Sequence, residues 1–135
     1  MKYISKYETL TYDDHIDEWN RILAEEKKTK LLARRIDYRL KKFFGKNNIR
    51  VFSYFADEIR IEILFNTYEL ENEELLQKYF IFSDEIESLT KKTWNMYDDI
   101  KLNLDKANEL LLKCKKLEEI FDEWLMNQNV KKYNI

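Results

Sequence analysis

A chain of 135 residues with a single glycine, Gly45, and no proline has few places to turn tightly or to break a helix. Proline stops helices by removing a backbone donor, and glycine supplies the left-handed backbone that turns and helix ends use. A sequence this poor in both favours long, uninterrupted helices. The same scarcity excludes several chemistries, because phosphate-binding loops need glycine where the backbone turns sharply and approaches its ligand. Gly45-Lys46 is followed by Asn47 and has no glycine five residues before it, so neither a Walker A loop nor a Rossmann fingerprint is present. A G-x-S-x-G nucleophile elbow is excluded by the same count.

The chain has the means to fold. Leu, Ile, Val and Phe supply 40 residues and the net charge is only −2, which sets it apart from disordered chains, and the length suits one domain over residues 1–135. Cys114 has no second cysteine to pair with, so a reducing compartment is expected, the cytoplasm of a bacterial host cell. No apolar run reaches the length of a membrane span and the first residues lead into no signal-type apolar segment, so no membrane partner is expected. Lys, Ile, Asn and Tyr together make up 51 residues against 11 for Gly, Ala, Arg and Pro, the bias of an AT-rich genome such as that of a low-GC bacterium, its phages or its plasmids.

Apolar periodicity divides the chain. Thr11 is placed to cap a helix, with Asp14 completing a capping box, and the helical face then runs through Ile16, Trp19, Ile22, Leu23, Leu32, Ala33, Ile36, Leu40, Phe43 and Phe44. Glu25 to Lys30 carries no apolar residue, yet nothing there breaks a helix, so continuity over 12–44 is predicted with Gly45 as its left-handed cap. From Ile49 to Phe65 the period changes to two, predicting a β-hairpin over about 49–66 that turns near Ala56-Asp57-Glu58. Two strands alone are marginal in water, and the aromatic, β-branched segment Tyr3–Leu10 is the candidate for a third. Asn72 is placed to cap a short helix carrying Leu75, Leu76, Tyr79 and Phe80, and Ser83 to start another. The final stripe runs through Ile86, Leu89, Thr93, Met96, Ile100, Ala107, Leu110, Cys114, Leu117, Phe121 and Trp124, with Tyr97, Leu104 and Leu111 widening it and Asn103 on its seam. A helix over about 84–126, bent near Asp98-Asp99 or Asp105, is therefore predicted. The expected fold is α+β and predominantly helical: two long helices and a short one packed with a small antiparallel sheet.

Charge is segregated along the chain. Lys27 to Arg50 holds ten basic residues and one acidic, whereas Asp57 to Glu87 holds ten acidic and two basic. The two blocks can neutralise each other across the fold or stay solvated; if they do neither, each is a candidate surface. Lys27, Lys28, Lys30, Arg34, Arg35, Arg39, Lys42 and Lys46 form a basic helix able to follow a phosphate backbone or meet an acidic protein. Glu69, Glu71, Glu73, Glu74, Asp84, Glu85 and Glu87 cluster at the predicted junction of two helices, where closely spaced carboxylates can imitate a phosphate backbone.

Candidate chemistry is sparse. His15 lies among Asp13, Asp14, Asp17 and Glu18, but a helical di-iron motif needs Glu three residues before the histidine and finds Tyr12. There is no second histidine for a metal triad, and no arginine precedes His15 to make the R-x-x-x-x-H pattern of HEPN-type ribonucleases. Cys114 is flanked by Lys113, Lys115 and Lys116, which would lower its pKa, but it falls on the apolar stripe of a core thiol. Trp19 and Trp124 are expected in the core, with Trp94 at the edge of its stripe. No catalytic residue, metal or cofactor is expected, and the chain is not read as an enzyme.

The leading expectation is a non-catalytic protein-binding module. Its most concrete form is a small inhibitor or accessory protein of a phage or mobile element that lays an acidic face on a host protein, such as a nucleic-acid-processing enzyme. Nucleic-acid binding through the basic helix 27–46 is the alternative. A structural or oligomerising helical protein is the third reading, in which an uncovered part of the last stripe is closed by a homodimer or a larger partner.

Overall fold

The computed structural model describes the backbone of residues 2–90 and 100–133, and the side chains of 15–90 and 100–131. Helix α1 spans Lys2–Phe44, strands β1 and β2 span Ile49–Tyr54 and Glu58–Ile63, helix α2 spans Glu73–Thr90, strand β3 spans Ile100–Asn103 and helix α3 spans Leu104–Tyr133. The fold is the expected one, mainly helical α+β with a three-stranded antiparallel sheet in the order β1-β2-β3.

Helix α1 is unbroken through Glu25 to Lys30, and at 43 residues it is about 65 Å long. It ends where predicted: Gly45 has φ +102° and its N–H donates to Lys41 O at 2.8 Å. A side chain at Gly45 would meet the Asn48 amide, which donates to Phe44 O and closes the same turn. The start differs from the prediction. Tyr3–Leu10 is helical, not a strand, and Thr11 lies inside α1 and not at its start. Without Pro or Gly to stop it, the helical period simply extends backwards over residues that also suit a strand.

The third strand comes from the predicted final helix. Ile100 and Leu102 turn onto the buried face of the sheet, with Ile59 paired to Leu102 and Ile61 to Ile100. Asn103, placed on a helical seam by the periodicity, instead caps α3 by accepting the Lys106 N–H at 2.8 Å. Alternation of Ile100, Leu102 and Leu104 satisfies a two-residue period as well as a helical one, which is why the stripe concealed a strand. Thr93, Trp94, Met96, Tyr97 and Asp98-Asp99 lie outside the described residues. The short helix predicted from Asn72 runs on through Ser83, the predicted start of the long final helix: α2 is capped by Asn72 Oδ1 accepting the Leu75 N–H at 3.1 Å, and Ser83 lies within it.

The core is one cluster formed by the second half of α1, one face of the sheet, α2 and α3. Along β1 and β2 the buried residues are Ile49, Val51, Ile59 and Ile61, while Arg50, Phe52, Arg60 and Glu62 form the outer face. Phe43, Phe44, Phe82 and Phe121 interlock edge to face. Arg39 pairs with Glu118, and about one turn further along both helices Phe43 meets Phe121, so α1 and α3 run in the same direction.

Among the described residues, that parallel arrangement leaves the start of α1 beyond the sheet and α3. Fully buried Thr29 marks the boundary: its hydroxyl is shared between Glu25 O at 2.8 Å and Ala56 O at the hairpin tip. Helix α3 also begins at this end of the sheet, because Asn103 pairs with Glu58 next to the tip. Residues 2–28 of α1 therefore continue past the sheet and past α3, an arm of about 40 Å. Trp19, expected in the core, is 61% exposed on this arm, together with Ile16 and Leu23. The α3 stripe, which the third reading left partly open to an outside partner, is covered by the core through Ala107, Leu110, Cys114, Leu117 and Phe121.

Candidate functional site

The two charged blocks do not cancel. Across them, Arg50–Glu62 at 3.6 Å on the outer face of the sheet is the one ion pair found among the described residues. Arg39 is spent on Glu118 of α3, Lys41 on Asp37 and Lys30 on Glu26. Lys27, Lys28, Arg34, Arg35, Lys42 and Lys46 are exposed and have no ion-pair partner among the described residues.

The helical repeat explains this division. Thr29, Leu32, Ala33, Ile36, Leu40, Phe43 and Phe44 are buried, and at 100° per residue the opposite face of α1 carries Lys27, Leu31, Arg34, Arg35, Tyr38 and Lys42. Tyr38, 69% exposed, sits in the middle of the cations. Against α3 the aliphatic stems of Arg34, Arg35 and Arg39, with Tyr38 and Leu111, line an open hollow of about 360 Å³. It has the composition of a docking surface: cationic rims over apolar stems.

The acidic set divides in two. Glu69 and Glu71 lie before α2 and Glu73 and Glu74 in its first turn; all four are exposed and without an ion-pair partner among the described residues. Acidic residues at this position also complement the N-terminal end of the helix dipole. Tyr68 beside them is 80% exposed. Because α2 is one helix, Asp84 and Glu87 are not gathered around a junction but lie more than two turns further along, exposed on its outer side. Glu85 leaves the set altogether. It is buried between Lys116 Nζ at 2.9 Å and Lys113 Nζ at 3.3 Å; burial works to raise its pKa, but the hydrogen bonds from Lys116 and Lys113 outweigh burial and hold the carboxyl below its ordinary value.

The residues weighed for chemistry stand apart. His15 is exposed on the arm. Cys114 is buried, and desolvation pushes its thiol up to about 11 despite the nearby Arg39. The flanking lysines that suggested activation point elsewhere, Lys113 and Lys116 toward Glu85. Tyr79 is raised as well, first by burial and then by Tyr68 and Glu87. Among the described residues no three His, Cys, Asp or Glu side chains come together as a metal site, and no helix is long and apolar enough to cross a membrane.

Sequence reasoning missed two features of the surface. The arm's apolar face was read as core because periodicity reports amphipathicity but not what covers the apolar side. Tyr68 drew no attention because a lone aromatic in a loop has no period; its position immediately before the acidic residues was the available signal. In comparisons with known proteins, no protein family matches the chain, and neither does a curated protein or a solved structure.

Proposed function

We propose that the protein works by binding another protein, without chemistry of its own, through the acidic surface of Glu69, Glu71, Glu73 and Glu74 around Tyr68. The observation that carries this reading is that these four carboxylates are exposed and unspent on the basic block. Unpaired like charges cost stability by mutual repulsion, so a surface that keeps them gains from a cationic partner; an exposed tyrosine supplies the apolar anchor typical of interfaces. An exposed His15 and a buried, poorly ionising Cys114 support the non-catalytic part. In its concrete form the protein is a small inhibitor or accessory protein of a phage or mobile element in a bacterial cytoplasm, whose acidic face occupies the nucleic-acid groove of a host enzyme.

The test uses the immobilised protein and lysate of a low-GC bacterium, treated with nuclease and then eluted with duplex DNA. A nucleic-acid-processing enzyme should be retained without nucleic acid and released by the DNA. Changing Glu69, Glu71, Glu73 and Glu74 to Lys should abolish retention, chiefly by slowing association. Retention by that variant equal to the wild type defeats the reading.

The outward, unpaired Lys27, Lys28, Arg34, Arg35, Lys42 and Lys46 favour a second reading, nucleic-acid binding along α1. Six such cations should give measurable duplex binding at about 50 mM salt, weakening steeply as salt rises. No fluorescence anisotropy change with labelled duplex at that salt removes it.

A further inference from the structure

The exposed side of α1 carries more than cations. Counted at 100° per residue, Ile16, Trp19, Leu23, Leu31 and Tyr38 fall within an arc of about 120° along one side of the helix, over about 33 Å. Each is between 38% and 69% exposed. An exposed apolar row of this length on a helix is a docking face, and the charge order along α1 indicates what fits it. Positions 13–18 hold Asp13, Asp14, Asp17 and Glu18 with no cation except His15 when protonated. Positions 27–35 hold Lys27, Lys28, Lys30, Arg34 and Arg35 with no acid.

We propose that this face is covered by the same face of a second copy of the chain, the two α1 helices lying antiparallel about Leu23. In that register residues i and j meet when their numbers sum to about 47. Ile16 then packs on the partner's Leu31, Leu23 lies beside its own counterpart at the two-fold axis, and Asn20 meets the partner's Lys27. The acidic stretch 13–18 lies along the partner's basic stretch 27–35, twice over by symmetry. A parallel pair would set acid on acid and base on base. The charge order therefore selects the antiparallel arrangement, as flanking charges do in coiled coils. Two charges have neighbours within the helix, Glu18 with Arg21 at 4.0 Å and Lys30 with Glu26 at 2.9 Å, but these are solvent-exposed pairs of little strength and compete weakly. The exposure of Ile16, Trp19, Leu23 and Leu31 leaves room for the partner helix. This surface lies at the other end of the molecule from the acidic face, so the dimer stands or falls independently of the acidic-face reading, whereas it would occupy part of the basic stretch used by the nucleic-acid reading.

Sedimentation equilibrium at about 50 mM salt, from about 1 to 200 µM protein, should show a monomer–dimer equilibrium that weakens several-fold at higher salt, as expected of a small, charge-assisted interface. Leu23→Glu places two carboxylates at the axis and should leave a monomer throughout. Since Leu23 lies outside the core cluster, the variant's melting temperature at low concentration should equal that of the wild type, which separates lost pairing from lost folding. Orientation is read by disulfide formation: Leu23→Cys alone should cross-link to itself, and Ile16→Cys should cross-link to Leu31→Cys in a mixture but not to itself. A wild-type protein monomeric at the highest concentration, a Leu23→Glu dimer, or self-cross-linking of Ile16→Cys without the mixed product would each overturn the proposal.

Discussion

Glu85 Oε1 lies 2.9 Å from Lys116 Nζ, which ties the middle of α2 to α3 with a carboxylate of the acidic block. A second hydrogen bond, from Lys113, completes the fork. The basic stretch of α1 takes no part in it. The pair thus has two effects: it helps hold α2 against α3, and it leaves the outward cations of α1 without this carboxylate as a counterion.

Acid sensitivity follows from the direction of the Glu85 shift. A carboxyl whose folded pKa is depressed binds its proton less readily in the native state than in the unfolded chain. Its stabilisation is present in full above the ordinary value of 4.5, declines below it, and is gone once the pH has fallen through the lower folded-state value. Urea unfolding followed from pH 7 to pH 3 should therefore show a loss of stability that Glu85→Gln makes shallower. At pH 7 that variant should itself be less stable by about 1.5–3 kcal/mol, the usual range for a hydrogen bond to a charged group.

Thr29 is the contact that decides where the core begins. Thr29→Val keeps the shape but removes the hydroxyl, leaving the Ala56 carbonyl at the hairpin tip without this donor, and should cost about 1–2 kcal/mol. Thr29→Ser retains the donor and should cost less. Thermal melts of the two variants provide the check: a larger loss in Thr29→Ser than in Thr29→Val would mean that packing of the methyl group, not the hydrogen bond, matters at this site.

Cys114 should be chemically silent in the folded protein. Its thiol titrates near 11 and is 2% exposed, so at pH 8 the fraction present as accessible thiolate is minute. A disulfide reagent should label it at the rate of unfolding, and labelling should become fast in denaturant. Rapid labelling of the native protein at pH 8 would contradict the burial described here.

How much of this was legible in the residues depends on the range of the forces involved. The continuous α1 helix, its Gly45 terminus, the β1–β2 hairpin and the Asn72 cap were readable because each depends on neighbours within a few positions. Where one segment satisfies two local periods, as at Tyr3–Leu10 and Ile100–Leu104, tertiary packing chose between them. Glu69, Glu71, Glu73 and Glu74 kept the exposure expected of them, whereas Glu85, of the same composition and in the same block, turned inward.

The sequence by itself determined that long helices and a small sheet would form, and that opposite charges would occupy separate stretches of chain. Periodicity and the scarcity of Gly and Pro act locally and need no knowledge of the fold. Only the tertiary structure decided that α1 and α3 run parallel, so that the first half of α1 extends past the sheet and the start of α3 and Trp19 stays in solvent. It also decided that Lys113 and Lys116, not the basic helix, neutralise Glu85. Those outcomes depend on which distant segments share a core, and burial rewards apolar contact without regard to where in the chain the partner comes from.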